Sequence, residues 1–447
     1  MAANLTILLV SGLLLVLTVL YCQKRWLEFD LIDLYILFAG IYFGAYTFVK
    51  ALLEDYSQYE PLTVVIVFIQ IIMILAITFL LWRLMPKHFR QEVEIKSLLE
   101  QWKNVNSYAI FLLMAILLII HIYGYAKYNI ISHIDHGKLI SAGKVLPYWF
   151  TSINVLGNNI ILCTFIALVA KIIASENMVK KLWIIPFLVL ILMALIHGRR
   201  SLINPLIIGT IILFISQGRE IFQFRYLKLV LLVSIGILIF SNVFQAYRNV
   251  LQFPDSVNSA EVKNPISAAL DARSTLNNLK VRPSGWEFNY SIFRGQRYDS
   301  VPLQLGGIFW QGLKNSIPRI FWPHKEVVSL NDLYVKLYSL PEADYGKNSF
   351  GFTQADFGYA SIILMPILIL IVTSTLVFII MATKNYPVLL LLLSGTVINY
   401  LINIEQNVTD IFILYRDLII LTGVYLISDV LLKIKVLFRP VRHGLLR

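Results

Sequence analysis

Charge is what this sequence has least of. Only 14% of its 447 residues are Asp, Glu, Lys or Arg, and 58% are hydrophobic. A soluble domain carries roughly 25% charged residues. With a mean hydropathy of +0.73, the chain reads as a polytopic membrane protein. Cysteine is nearly absent. Cys22 and Cys163 lie at the end of one apolar run and inside another. They form no metal spacing and give no redox-compartment signal. There is no Walker loop, Gly-x-Ser-x-Gly, His-Glu-x-x-His or dinucleotide-binding glycine pattern in a βαβ context. Internal repeats, low-complexity stretches and nucleic-acid motifs are missing too. The net charge of +12 is therefore read as topological, with no nucleic-acid partner.

What is present is apolar runs of spanning length. A helix needs roughly 20 apolar residues to cross a bilayer. On that measure an all-α fold of about 11 transmembrane helices (10–12) is expected, at 4–21, 31–53, 62–84, 107–129, 148–173, 182–197, 201–217, 227–245, 357–382, 386–403 and 410–432. The first run lacks a basic leader and a small-residue cleavage site, so it reads as a retained helix rather than a signal peptide. Lys and Arg mark every second loop: Lys24 and Arg25, Arg83 to Lys103, Lys171 to Lys181, Arg219 to Lys228, Lys384, and Lys433 to Arg447. Basic loops stay cytoplasmic. The N-terminus is then outside and the C-terminus inside. Three regions follow: spans 1–245, a partly helical extracytoplasmic loop 246–356, and spans plus a basic tail 357–447.

The long loop organises the rest. Structureless connections of that length are uncommon and usually functional. It holds twelve Lys and Arg against ten Asp and Glu, interleaved with aromatics such as Trp286, Tyr298, Trp310 and Trp322. That pattern suggests a folded subdomain over the mouth of the bundle, with an interfacial helix at 303–313.

Four constellations carry candidate chemistry. Arg199 and Arg200 sit in the turn His197–Ser201 between short apolar runs. Charges there must face water, a counter-ion or a ligand. A guanidinium fork fits phosphate, while snorkelling to headgroups is the bland reading. Arg294 and Arg297 share a face if their segment is helical, with Asp299 as counter-ion or base, or else an internal ion pair. Arg319 and Lys325 flank Phe321 and Trp322 between two prolines that keep the backbone extended. Glu405 lies near Asp410, Arg416 and Asp417. Arg416 and Asp417 should face the bundle interior, and a structural Arg–Asp pair is the plainer reading.

On these residues the chain resembles the bacterial Wzy-like oligosaccharide repeat unit polymerases of O-antigen and exopolysaccharide synthesis. The Gly198-Arg199-Arg200-Ser201 turn carries part of the likeness. The Ile317-Pro318-Arg319 to Trp322-Pro323-x-Lys325 segment and the stretch from Gly351 to Ala360 carry the rest. Gln354 and Asp356 stand where the family often has Glu-x-Tyr-x-Asn-Phe-Gly. The likeness covers roughly residues 190–370.

The resemblance implies an inner-membrane glycosyltransferase. It would transfer a glycan from undecaprenyl diphosphate to the terminal hydroxyl of a second lipid-linked unit. Diphosphate leaves, so cations are needed where its charge develops. Arg199, Arg200, Arg294, Arg297, Arg319, Lys325 and Arg416 are the candidate binding residues. Asp299, Glu405 and Asp356 are candidate bases. No Asp-x-Asp pair offers itself, so a metal-independent reaction without cofactor is expected. The expected partners are the lipid-linked oligosaccharide and membrane lipids, with a chain-length regulator as a further candidate. A ligase-type glycan transferase and a lipid-linked glycan transporter or flippase are the rival readings.

Overall fold

The computed structural model describes residues 2–103, 284–318, 330–338, 347–405 and 408–437, with a few single positions between them. The five spans expected between 107 and 245 fall outside these segments, as do Arg199, Arg200, Arg319 and Lys325. Among the described residues every regular element is helical.

Three long helices come first: α1 (Ala2–Arg25), α2 (Leu31–Leu53) and α3 (Pro61–Leu84). Asp30 starts α2 with a capping box, its carboxylate accepting from the N–H groups of Ile32 and Asp33 at 2.9 and 3.0 Å. This satisfies donors that have no partner in a helix's first turn. Pro61 begins α3, where its missing N–H costs nothing. A π-helical segment, Ile41–Tyr46, interrupts α2. It is bracketed by close approaches to α1. A Cβ on Gly40 would run into the Thr18 side chain, and one on Gly44 would lie 3.1 Å from the backbone N of Leu15.

Two ends of this bundle can be told apart. At the Arg25 end, the indole of Trp82 donates to Asp30 at 2.8 Å and Arg25 reaches Asp33 at 3.4 Å. Two short helices follow, α4 (Lys87–Glu92) and α5 (Ile95–Lys103). The opposite, Glu60 end holds the α2–α3 turn, tied to Asn4 of α1. By the loop charges, the Glu60 end is the one predicted to be outside.

The described part of the expected outer loop does not simply lie over that end. It forms α6 (Gly285–Tyr298), α7 (Gly307–Ser316), α8 (Leu330–Tyr338) and α9 (Ser349–Phe357). Gly285 packs so tightly on Tyr42 that a Cβ would overlap its ring. Tyr42 lies about eleven residues below Leu53, roughly 16 Å along the helix. Thus α6 begins buried against α2, with Trp286 packed on Tyr56 and Tyr59 of the α2–α3 turn, and its last turn returns to Glu60 through Tyr298. α9 begins beside it. The Asn348 side chain caps α9 through Gly351 N–H at 3.0 Å and donates to the Gly285 carbonyl at 3.0 Å. Phe350 then fits between Tyr35 and Phe43 of α2. Non-helical backbone at such depth is tolerated only where protein satisfies it, which Asn348 and Ser284 do here. The expected interfacial helix at 303–313 is α7, shifted to start after Gly306, whose φ of 88° suits glycine.

A left-handed Gly358 and a 3₁₀ turn join α9 to α10 (Ser361–Thr383), so Ser349–Thr383 is one continuous apolar element. α11 (Pro387–Ile402) and α12 (Val408–Leu437) complete the described chain. α7 lies along the start of α12, where a Cβ on Gly312 would come 3.2 Å from Thr409 N. Among the described residues four elements, α1, α2, α3 and Ser349–Thr383, are long and apolar enough to cross a membrane. The protein is therefore membrane-embedded and all-α in its described parts.

Candidate functional site

α6 is the element that brings candidate residues to one place. Ser284 and Glu287 close a capping box at its start, which fixes where the helix begins. Trp286, Tyr290 and Phe293, at i, i+4 and i+7, are buried against the first helices, while Phe288 and Ile292 are buried in a second core with Ile308, Tyr334 and Phe352. The last turn then emerges, leaving Arg294, Arg297, Tyr298 and Asp299 exposed. The arginines are three residues apart on one face.

Glu60 faces this turn. Its carboxylate accepts from Tyr298 Oη at 2.8 Å, and its N–H donates to Tyr290 Oη at 3.0 Å. The bonds from Thr63 and Tyr298, with Arg297 and Arg294 nearby, hold Glu60 below its ordinary carboxylate range. Arg297 also lies 5.2 Å from the centre of the Tyr298 ring. Two cations thus share the face with Glu60 and Asp299. The surface is charge-balanced, and what it offers an anion is two guanidinium groups on one helix face rather than excess positive field. The link to Asp299 is short, since Asp299 N–H caps α6 through the Gly295 carbonyl at 3.1 Å.

Beneath the arginines runs a polar seam that sequence reasoning missed. Gln70 of α3 donates to Gln354 of α9 and to Ser361 Oγ at 2.8 Å. Gln354 donates to Gln296 of α6 at 3.0 Å, and Gln296 donates back to the Gln354 carbonyl at 3.0 Å. Gln70 and Gln354 are buried. Amides in an apolar span need such partners, and a chain of them fixes α6 in rotation one residue before Arg297. A lone Gln in the middle of the apolar α3 run was the available signal.

The remaining candidates lie apart from that turn. Asp356 is fully buried at the end of α9, and its two oxygens accept from the N–H groups of Ile308 and Phe309 at 3.1 and 3.0 Å. It therefore serves as a cap for the start of α7, where a carboxylate also suits the helix dipole. Glu405 is exposed in the turn between α11 and α12. Arg416 forms the Arg–Asp pair expected of it: its Nε and Nη2 meet Asp417 Oδ1 at 3.0 and 2.9 Å, and Nη1 donates to the Ser316 carbonyl at 3.3 Å. It thus ties the end of α7 to α12. Arg416→Ala is expected to cost about 1–3 kcal/mol, because the buried Asp417 loses its partner. Unfolding of the purified variant in mixed micelles measures this, and an unchanged midpoint would remove Arg416 from the structural account.

Among the described residues no three His, Cys, Asp or Glu side chains gather closely enough to hold a metal ion. Comparison with protein-family models, with curated proteins and with solved structures returns no match for this chain.

Proposed function

We propose that this protein is a glycosyltransferase that polymerises undecaprenyl-diphosphate-linked oligosaccharide repeat units at its Glu60 end, on the outer side of a bacterial inner membrane. The observation that supports the reading is the Arg294–Arg297 pair, exposed on a helix whose root is buried against α2. The anchored helix keeps both arginines on one face, where cations stabilise the charge that develops as the diphosphate leaves. In this reading the Gly-Arg-Arg-Ser turn and the Arg319–Lys325 segment supply the further cations, and the lipid carrier enters from the membrane. Asp299 and Glu405 are exposed carboxylates in reach of solvent and remain candidate bases.

The test is a purified preparation given lipid-linked repeat units alone. A glycan ladder is expected. Arg294→Ala/Arg297→Ala is expected to shorten it at least tenfold in product yield. The double Lys variant should recover little, since lysine lacks the bidentate fork. An unchanged ladder in the alanine variant would remove these arginines from the site. A product seen only when a lipid A core or protein acceptor is added would make the protein a ligase.

A second reading is favoured by one observation. α6 and α9 both begin among buried side chains, where Asn348 meets the Gly285 carbonyl, and discontinuous helices of that kind mark substrate paths in transporters. Movement of lipid-linked glycan across vesicles, with no covalent product, would establish that reading instead.

A further inference from the structure

The flank of α10 carries a groove of about 540 Å³ at the Arg25 end, lined by Met85, Ile367, Ile371, Ser374, Thr375 and Phe378 among others. Ile367, Ile371, Ser374 and Phe378 fall at spacings of four, three and four, one face of a helix. The wall is hydrocarbon in effect, because Thr375 turns its hydroxyl to the Ile371 carbonyl and to Tyr415. Phe378 is 71% exposed and Ile371 50%. On a membrane-spanning helix such a face meets lipid tails. From Ile367 to Phe378 the groove runs roughly 16 Å along the helix, about half of the ~30 Å hydrocarbon core. That is the depth of one leaflet.

Cations stand at one end of it. Met85, in the groove wall, is followed at once by Pro86 and α4, and α4 lies against α10. α4 carries Lys87 and Arg90 with Glu92 as its single acid. Arg90 Nε is shielded from solvent, yet it has no hydrogen-bond partner among the described residues. A shielded guanidinium N–H without an acceptor costs free energy. Lys87 is exposed beside it in sequence, and Lys384 is exposed just beyond the end of α10.

We propose that this groove is a binding site for an anionic phospholipid, with one acyl chain along α10 and the headgroup phosphate on Arg90 and Lys87. Arginine matches phosphate geometry, and each basic residue near a charged headgroup favours an anionic lipid. The site lies at the opposite end of the bundle from Arg294 and Arg297 and does not depend on the polymerase reading.

The experiment is native mass spectrometry of the full chain in detergent, titrated with phosphatidylglycerol or phosphatidylcholine of identical acyl chains. Phosphatidylglycerol is expected to be retained preferentially. Lys87→Gln/Arg90→Gln should weaken its retention roughly thirtyfold and leave phosphatidylcholine unchanged. Ile371→Trp, a bulky change on an exposed position, should displace both lipids without disturbing the fold. Equal retention of the two lipids would overturn the proposal, as would an unaffected Gln variant. Arg90-dependent capture of a polyprenyl diphosphate in preference to phosphatidylglycerol would overturn the choice of occupant.

Discussion

Lys50→Met is expected to destabilise the protein by about 3–5 kcal/mol, the usual consequence of removing one partner from a buried ion pair. Lys50, in the last turn of α2, is 2% exposed and donates to Glu287 Oε2 at 3.0 Å. Glu287 also accepts from the Ser284 hydroxyl at 2.7 Å and from Tyr59 at 3.3 Å. Without the ammonium, its charge stays buried at the root of α6. The double variant Lys50→Met/Glu287→Gln removes that charge but keeps an acceptor for the cap. It should recover more than half of the loss. Unfolding midpoints in mixed micelles measure both. If single and double variants prove equally unstable, lost packing rather than stranded charge is the cause.

Asp356 gives the second large effect, and a choice between roles. Asp356→Ala strips the start of α7 of two acceptors and is expected to cost roughly 2–4 kcal/mol. Asp356→Asn retains one carbonyl oxygen and should cost less than half as much. If the carboxylate only caps α7, the Asn variant keeps its glycan ladder per folded molecule. A stable Asn variant with no ladder would return Asp356 to the chemistry as a base, because an amide cannot take a proton from the acceptor hydroxyl.

Hydropathy was enough to place α1, α2, α3 and α10 within a few residues, because spanning helices follow composition directly. It also made Arg416 and Asp417 a pair, since neither charge can face lipid. The helical face shared by Arg294 and Arg297 followed from their spacing. What stayed hidden was depth. The stretch Gly285–Tyr298 is too polar for a spanning segment, so it read as part of an outer loop, yet Gly285 sits against Tyr42. Only the partners explain this: Lys50 matches Glu287, Asn348 matches the Gly285 carbonyl, and Gln70 matches Gln354. Each match joins residues far apart in the chain, which no local pattern encodes. Asp356 was likewise ambiguous, because a buried cap and a buried base present the same residue type.

The Lys50–Glu287 pair also sets an order of assembly. The partners are 237 residues apart. At about 5–20 residues per second, the ribosome needs roughly 10–50 s to make the glutamate after the lysine. Throughout that interval the Lys50 ammonium has Glu54, one turn on and 3.4 Å away in the finished structure, as its carboxylate partner in place of Glu287. The aliphatic stem lets that charge reach the interface while it waits. α6 can therefore settle only after the intervening chain is in the membrane, and its docking closes the first three helices late. Newly made protein should then pass through a stage in which α1 to α3 are inserted but the root of α6 remains open to protease.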